Sequence, residues 1–326
     1  MRIVIALGGN ALLQRGERPD AATQQANVRV AAAAIARVAR HHDVVLTHGN
    51  GPQVGLLALE SERDSALTQP YPLDVVGAET EGMVGYWLER ELRNALPDRT
   101  VVTLLTQTVV DPGDPAFAAP TKFVGQVYDE PTARALAAER GWTVRPDGDQ
   151  WRRVVPSPAP IEFVELDVIS SLVARNVLTI CAGGGGIPVV RNGAQLEGVE
   201  AVIDKDRAAA LLALQLDTDA LVMLTDVAAI QTGFGTPQAC PLRRVSSSRL
   251  RRMSFPAGSM GPKVQAACDF VDGGGAFAAV GALADAARLV AGTAGTIVVP
   301  AQHVRRAVVA GRPLSAVRCR GAARAR

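Results

Sequence analysis

Short apolar runs recur along the chain and stop abruptly at glycine or aspartate. Residues 2–7 read RIVIAL, 43–47 DVVLT, 177–182 VLTICA and 220–224 ALVML. Runs this short, without polar alternation, are expected of strands buried on both faces, as parallel strands are when helices cover the sheet. Residues 100–110, 276–280 and 296–299 supply further strands. Between them, 21–40, 76–95, 161–175, 207–216 and 264–272 have helical composition. Strand and helix alternate in the manner of an α/β protein.

The turns that follow the strands repeat one device. The first run stops at Gly8-Gly9-Asn10, and the second enters HGNGPQVG, with Gly49-Asn50-Gly51 followed by Pro52 where a helix opens. The run at 177–182 ends in four consecutive glycines, Gly183 to Gly186. A structural turn needs one or two glycines, so four are expected to present main-chain amides to a small anion. Turns at the carboxyl ends of neighbouring parallel strands face one crevice, where open α/β sheets bind ligands. A dinucleotide fingerprint fails here, because GGGGIP puts Pro188 in the last position. Within 76–95, Gly82 and Gly85 stand among Met83, Tyr86, Trp87 and Leu88. They predict either close approach of another helix at a subunit interface or an ordinary core helix.

Residues 111–160 depart from this pattern in being proline-rich, mixed in charge and richer in aromatics. That stretch is too long for a plain loop and reads as an inserted lobe. Aromatics make up only 4% of the chain against 48% hydrophobic residues overall, so its core rests on Ala, Val, Leu and Ile. The net charge of +2 comes from seven arginines in the last 26 residues, a segment expected to be a disordered tail after a body of residues 1–300. The mildly acidic body argues against a nucleic-acid surface. No run is apolar enough for a membrane span, and a cytoplasmic protein is expected. Cys181, Cys240, Cys268 and Cys319 have no metal spacing and are expected to be small buried hydrophobes.

Of 34 basic residues only three are lysines: Lys122, Lys205 and Lys263. Each lies beside glycine, proline, threonine or aspartate. Lys205 stands between Asp204 and Asp206 where a helix begins. Lys263 follows Gly258-Ser-Met-Gly-Pro at another helix start, where the dipole favours an anion and a cation adds no stability. Lys122 lies in the inserted lobe, either as a lid residue reaching the crevice or as a surface lysine. An ammonium is a compact point charge that can follow a moving phosphoryl group, whereas a guanidinium is a rigid fork. Three lysines, glycine turns and the acids Asp204, Asp206 and Asp226, without a catalytic histidine cluster, describe a site that stabilises a charged transition state. Phosphoryl transfer with a magnesium ion is that chemistry, and an anionic carboxylate acceptor needs no general base. Walker, HRD and DFG motifs are absent.

Taken together, ALGGNALL from Ala6, HGNGPQVG from His48, GAETEGMVGYWLEREL from Gly77, PTK at Lys122, RRVVPSP from Arg152, GGGGIPVV from Gly183, AVIDKD from Ala201, LTDV from Leu224 and GSMGPKV from Gly258 resemble the carbamate kinases of the amino-acid kinase superfamily. The resemblance implies an α/β fold, a three-layer αβα sandwich around a mostly parallel sheet, with a small protruding subdomain at about 111–158, and a homodimer. It implies reversible transfer between ATP and carbamate, giving ADP and carbamoyl phosphate, with Mg2+, and use in ATP formation during arginine catabolism. Carried onto this sequence, Lys122, Lys205, Asp206 and Lys263 would be catalytic, with no protein metal ligand. Gly8, Gly9, Asn10, Gly49, Asn50, Gly51 and Gly183, Gly184, Gly185, Gly186 would bind carbamate and the transferred phosphoryl. Thr225, Asp226, Val227, Ser259, Met260 and Gly261 would bind nucleotide. The chain departs from the family pattern at 123–128, FVGQVY, and at Gln231, where a tyrosine is common. A kinase for another small acid, and a ligand sensor without turnover, are the competing readings.

Overall fold

The computed structural model describes residues 1–301 apart from Arg15 and Ala257, so most of the arginine-rich tail lies outside the described residues. The chain runs β1 (Arg2–Leu7), α1 (Ala21–Ala39), β2 (Asp43–His48), α2 (Gly51–Arg63), α3 (Leu73–Ala95), β3 (Val101–Thr103) and β4 (Gln107–Val110). It continues through β5 (Lys122–Tyr128), α4 (Glu130–Arg140), β6 (Thr143–Asp147), β7 (Gln150–Val155), β8 (Pro160–Phe163), α5 (Leu166–Ala174) and β9 (Leu178–Ile180). Next come β10 (Ile187–Asn192), β11 (Gln195–Gly198), α6 (Lys205–Gln215), β12 (Ala220–Thr225), β13 (Gln231–Thr232), β14 (Cys240–Pro241) and β15 (Arg244–Ser246). The last described elements are α7 (Ser247–Leu250), α8 (Met260–Asp272), β16 (Phe277–Ala282), α9 (Ala286–Val290) and β17 (Thr296–Val299).

Among the described residues, eight strands form the main sheet in the order β15-β17-β16-β12-β1-β2-β9-β3, and only the β16–β17 pair is antiparallel. β1 shows why the runs are continuously apolar. Ile3, Ile5 and Leu7 pack into a core with α1, α3 and α9, while Val4 and Ala6 pack into a second core with α5, α6 and α8. Alternate side chains leave opposite faces of a strand, so a helix layer on each side demands apolar residues at every position.

Two expectations about elements are corrected. Residues 100–110 are two strands in different sheets, because the chain turns at 104–106 after Leu104 donates to Ile180 O. Residues 161–175 begin as β8, an antiparallel partner of β4, before α5 starts. Within the chain, Gly85 accommodates β3: a Cβ there would stand 2.3 Å from Thr103 Cγ2. The hairpin β10–β11 joins β4 and β8 in a four-stranded sheet that no apolar pattern announced.

Segment 111–160 builds a third sheet, β5-β7-β6, carrying α4, and this lobe rests on α2. Its β5 is FVGQVY preceded by Lys122, with a register shift between Val124 and Val127. Cys181 and Cys268 are buried, and burial pushes both thiols up, Cys268 to about 11. Cys240 is only half-buried, in β14, which corrects the expectation for it; Cys319 lies outside the described residues.

Candidate active site

β12, β1, β2 and β9 are consecutive in the sheet and parallel, so the turns after them share one edge. Those turns are Gly8-Gly9-Asn10, Gly49-Asn50-Gly51, Gly183 to Gly186, and Thr225-Asp226. They lie against each other: Gly8 N donates to Leu224 O at 2.9 Å, and Gly49 N to Leu7 O at 2.9 Å. Asn10 Nδ2 donates to Asp226 Oδ2 at 2.8 Å, while Thr225 Oγ1 donates to Asp226 Oδ1 at 3.0 Å. These bonds, with the positive field of Lys263, outweigh the burial that opposes ionisation and hold the Asp226 carboxyl below its ordinary range.

The three lysines converge on the first turn of α6. Asp204 caps that helix, its Oδ1 accepting from Asp206 N at 3.0 Å and Arg207 N at 3.2 Å. Its other oxygen accepts from Lys122 Nζ at 2.7 Å, although Lys122 comes from the lobe. Asp206 is buried and bridges the other two, with Oδ1 on Lys205 Nζ and Oδ2 3.1 Å from Lys263 Nζ. Burial works against both carboxylates, but Lys122 and then Lys205 outweigh it at Asp204, and Lys205 and Lys263 do so at Asp206. Both acids are held below the usual carboxylate range. Burial pushes Lys205 down from its ordinary value; Asp206 opposes that fall, and Lys263 adds to it. Lys205 is the first residue of α6 and Lys263 the fourth of α8, so two cations occupy first turns where the helix dipole disfavours them. Three ammonium groups bond two carboxylates here, with the Asp226 carboxylate near enough to feel Lys263.

The tetraglycine loop differs from its expected role. Gly183 N donates to Glu81 Oε1 at 2.8 Å, Gly185 N to Ala182 O at 3.1 Å and Gly186 N to Gly183 O at 3.0 Å. Three of the four amides therefore bond inside the protein. Sterics require the glycines instead: Cβ atoms at 183, 184, 185 and 186 would stand 2.1–2.8 Å from His48, Asn50, Ile203 and Thr108. Gly184 to Gly186 also take positive φ. Asn50 too faces inward, donating to Thr80 Oγ1 at 2.8 Å.

The loop is fastened by side chains that the sequence did not single out. Thr47 Oγ1 donates to Ala182 O at 2.7 Å, Thr106 Oγ1 accepts from Ala182 N at 2.9 Å, and Thr108 Oγ1 donates to Gly185 O at 2.9 Å. Glu81 also accepts from Thr106 N at 3.2 Å, and burial pushes its carboxyl up to about 8 against these two amide bonds. Beside it, burial lowers the His48 imidazole to about 4, partly offset by the Gly49 carbonyl. Glu81 is 102 residues from Gly183, so only its place in GAETEG marked it. Asp204 as the anchor of Lys122 was equally hidden, although its position before Lys205 suits a helix cap.

Residues expected to bind nucleotide flank the cluster: Thr225, Asp226 and Val227 after β12, and Ser259, Met260 and Gly261 where α8 opens. Ser259 and Asp226 are exposed, and Gly261 N donates to Pro256 O at 2.9 Å.

A family model described as the amino acid kinase family matches residues 1–280, and the chain belongs to that family. The carbamate kinase of Rhizobium meliloti is 52% identical over 302 residues, covering 91% of this chain and 93% of its own. That of Pyrococcus furiosus is 47% identical, covering 92% of this chain and 99% of its own. The structure of Giardia lamblia carbamate kinase bound to AMP-PNP superposes with a TM-score of 0.84 at 42% identity, covering 92% of this chain and 98% of that one. Within the family, the chain stands among the carbamate kinases.

Proposed function

We propose that the chain catalyses reversible phosphoryl transfer between ATP and carbamate, giving ADP and carbamoyl phosphate. The observation that carries this reading is the convergence of Lys122, Lys205 and Lys263 on Asp204 and Asp206, at the sheet edge where four turns meet. Lys205 and Lys263 bind the transferred phosphoryl, with Asp206 holding their ammonium groups apart and in place. Lys122, brought by the lobe, completes the positive charge from the opposite side. Charge spreads over the equatorial oxygens in the transition state, and fixed cations in a partly buried site stabilise it without reorganising. Carbamate lies against the turns 8–10 and 49–51, with the loop 183–186 as a shaped wall. Being anionic already, it needs no base, and His48 is buried in neutral form. Nucleotide lies along 225–227 and 259–261.

Magnesium would enter on the nucleotide phosphates, since Mg2+ keeps much of its water and seldom occupies an all-protein cage. No group of three or more His, Cys, Asp or Glu forms such a cage among the described residues. Asp226, exposed and anionic at the nucleotide end, is the acid suited to its hydration shell, and the ion would neutralise charge between the phosphates. We also propose a homodimer built on α3 and the sheet edge at β3, where Tyr86 and Leu105 are 57% and 52% exposed. Use in the cytoplasm to form ATP from carbamoyl phosphate during arginine breakdown follows from the same reading. Purified protein given ADP, Mg2+ and carbamoyl phosphate should form ATP; absence of product with carbamoyl phosphate but turnover with another acyl phosphate would redirect the substrate assignment.

A further inference from the structure

The lobe that carries Lys122 sits on α2 through an apolar cluster of Val54, Val124 and Val155 and, beside it, one point of contact without side chains. A Cβ on Gly55 would stand 2.7 Å from Gly125 Cα and 2.9 Å from Gly125 N, so backbone lies directly on backbone there. Gly125 follows Lys122 by three residues in β5, at φ +72° and within the strand's register shift. Two turns along the same face of α2, Glu62 receives Arg140 from α4 and Arg153 from β7, the latter at 3.5 Å. Arg153 also reaches Glu200 at 3.2 Å, four residues before Asp204. The other end of α2 begins at Gly51, in the glycine turn of the site. One rigid helix thus joins the turn after β2 to the seat of the lobe.

We propose that Gly55 is a positioning residue for Lys122: its missing side chain lets β5 rest on α2, and this seat sets the height at which the Lys122 ammonium meets Asp204. The inference rests on the reading that Lys122 acts in phosphoryl transfer. An added methyl at 2.7 Å must retreat to an ordinary carbon contact of about 3.5–4.0 Å. The lobe backbone therefore moves by roughly 1 Å, a displacement that can lower turnover by about 10²-fold when it reaches reacting groups. Alanine is meanwhile the better helix former, so α2 itself gains.

The test is a double-mutant cycle in ATP formation from ADP, Mg2+ and carbamoyl phosphate, using the parent, Gly55→Ala, Lys122→Ala and the double variant. Gly55→Ala should lower kcat by about tenfold or more in the parent and by less than about twofold in the Lys122→Ala background. Parental kcat in Gly55→Ala, or the same fold loss in both backgrounds, overturns the inference. Normal kcat in Lys122→Ala alone is the separate failure of the catalytic reading. Should Gly55→Ala not fold, Glu62→Gln loosens the same seat without adding bulk. It should lower kcat by about threefold or more only while Lys122 is present, and an equal loss in both backgrounds counts against the proposal.

Discussion

Lys205 occupies a position where a structural cation is disfavoured, at the head of α6, nearly buried, and beside a second ammonium. Asp206, with a smaller contribution from Asp204, offsets that, and a chain that otherwise uses arginine has kept lysine there. The scarcity of lysine made this legible, because all three lysines proved to share one carboxylate pair. Their mutual placement was not legible, since Lys122 and Asp204 are 82 residues apart and meet only through the seating of the lobe. Lys205→Arg should give a folded protein melting within a few degrees of the parent, because charge and helix start are retained. The planar guanidinium does not fit where Asp206 and a compact phosphoryl must both be served. Turnover in both directions is therefore expected to fall at least tenfold, about 1.4 kcal/mol. Parental turnover in a coupled ATP assay would remove the argument for lysine at this position.

Among the elements, the parallel strands were readable because burial on both faces leaves no polar positions, as β1, β2, β12 and β17 show. The strands of the smaller sheets were not: β8, β10 and β11 carry exposed and polar residues, and β8 runs into α5 without a break in hydropathy. The tetraglycine loop was found as an element, but its glycines serve close packing over His48 and Glu81. That packing has a pH signature. Glu81 is raised to about 8 by burial, so the native state holds a proton that the unfolded state has released near pH 4; its contribution is whole below that and is lost as pH rises toward 8. His48, depressed to about 4, acts oppositely: its contribution is present above about 6.5 and is lost as pH falls toward 4. Of the two, Glu81 alone acts between pH 6.5 and 8. Glu81→Gln, fixed in the neutral form, should therefore lose less stability than the parent over that window, by about 2 kcal/mol in denaturant titrations. Parallel pH dependences for the two proteins would show that Glu81 is ionised throughout.

At the scale of the whole molecule, every site contact described above lies within one chain: the lysines, their two carboxylates and the four turns. The proposed dimer face is separate from them. Leu105 lies 3.8 Å from the Cβ position of Gly82, and Tyr86 projects from the same helix with Arg90 stacked 5.5 Å from its ring. Beside them β3 ends the main sheet and, among the described residues, leaves one strand edge unpaired. Two large exposed apolar groups next to an open edge favour association, and a second copy presenting the same face would cover both. Gly85 contributes indirectly, by letting α3 lie close against β3. Leu105→Glu puts a carboxylate at that surface without disturbing a buried contact, and two copies in a symmetric pair would bring like charges together. The variant is expected to sediment as a monomer at concentrations where the parent is a dimer. Its turnover should stay within about twofold of the parent, since the three lysines and two carboxylates that carry the proposed chemistry bond one another within a single chain. A dimeric Leu105→Glu would move the interface elsewhere on the molecule, whereas a monomer without turnover would mean that the site depends on the partner for its shape.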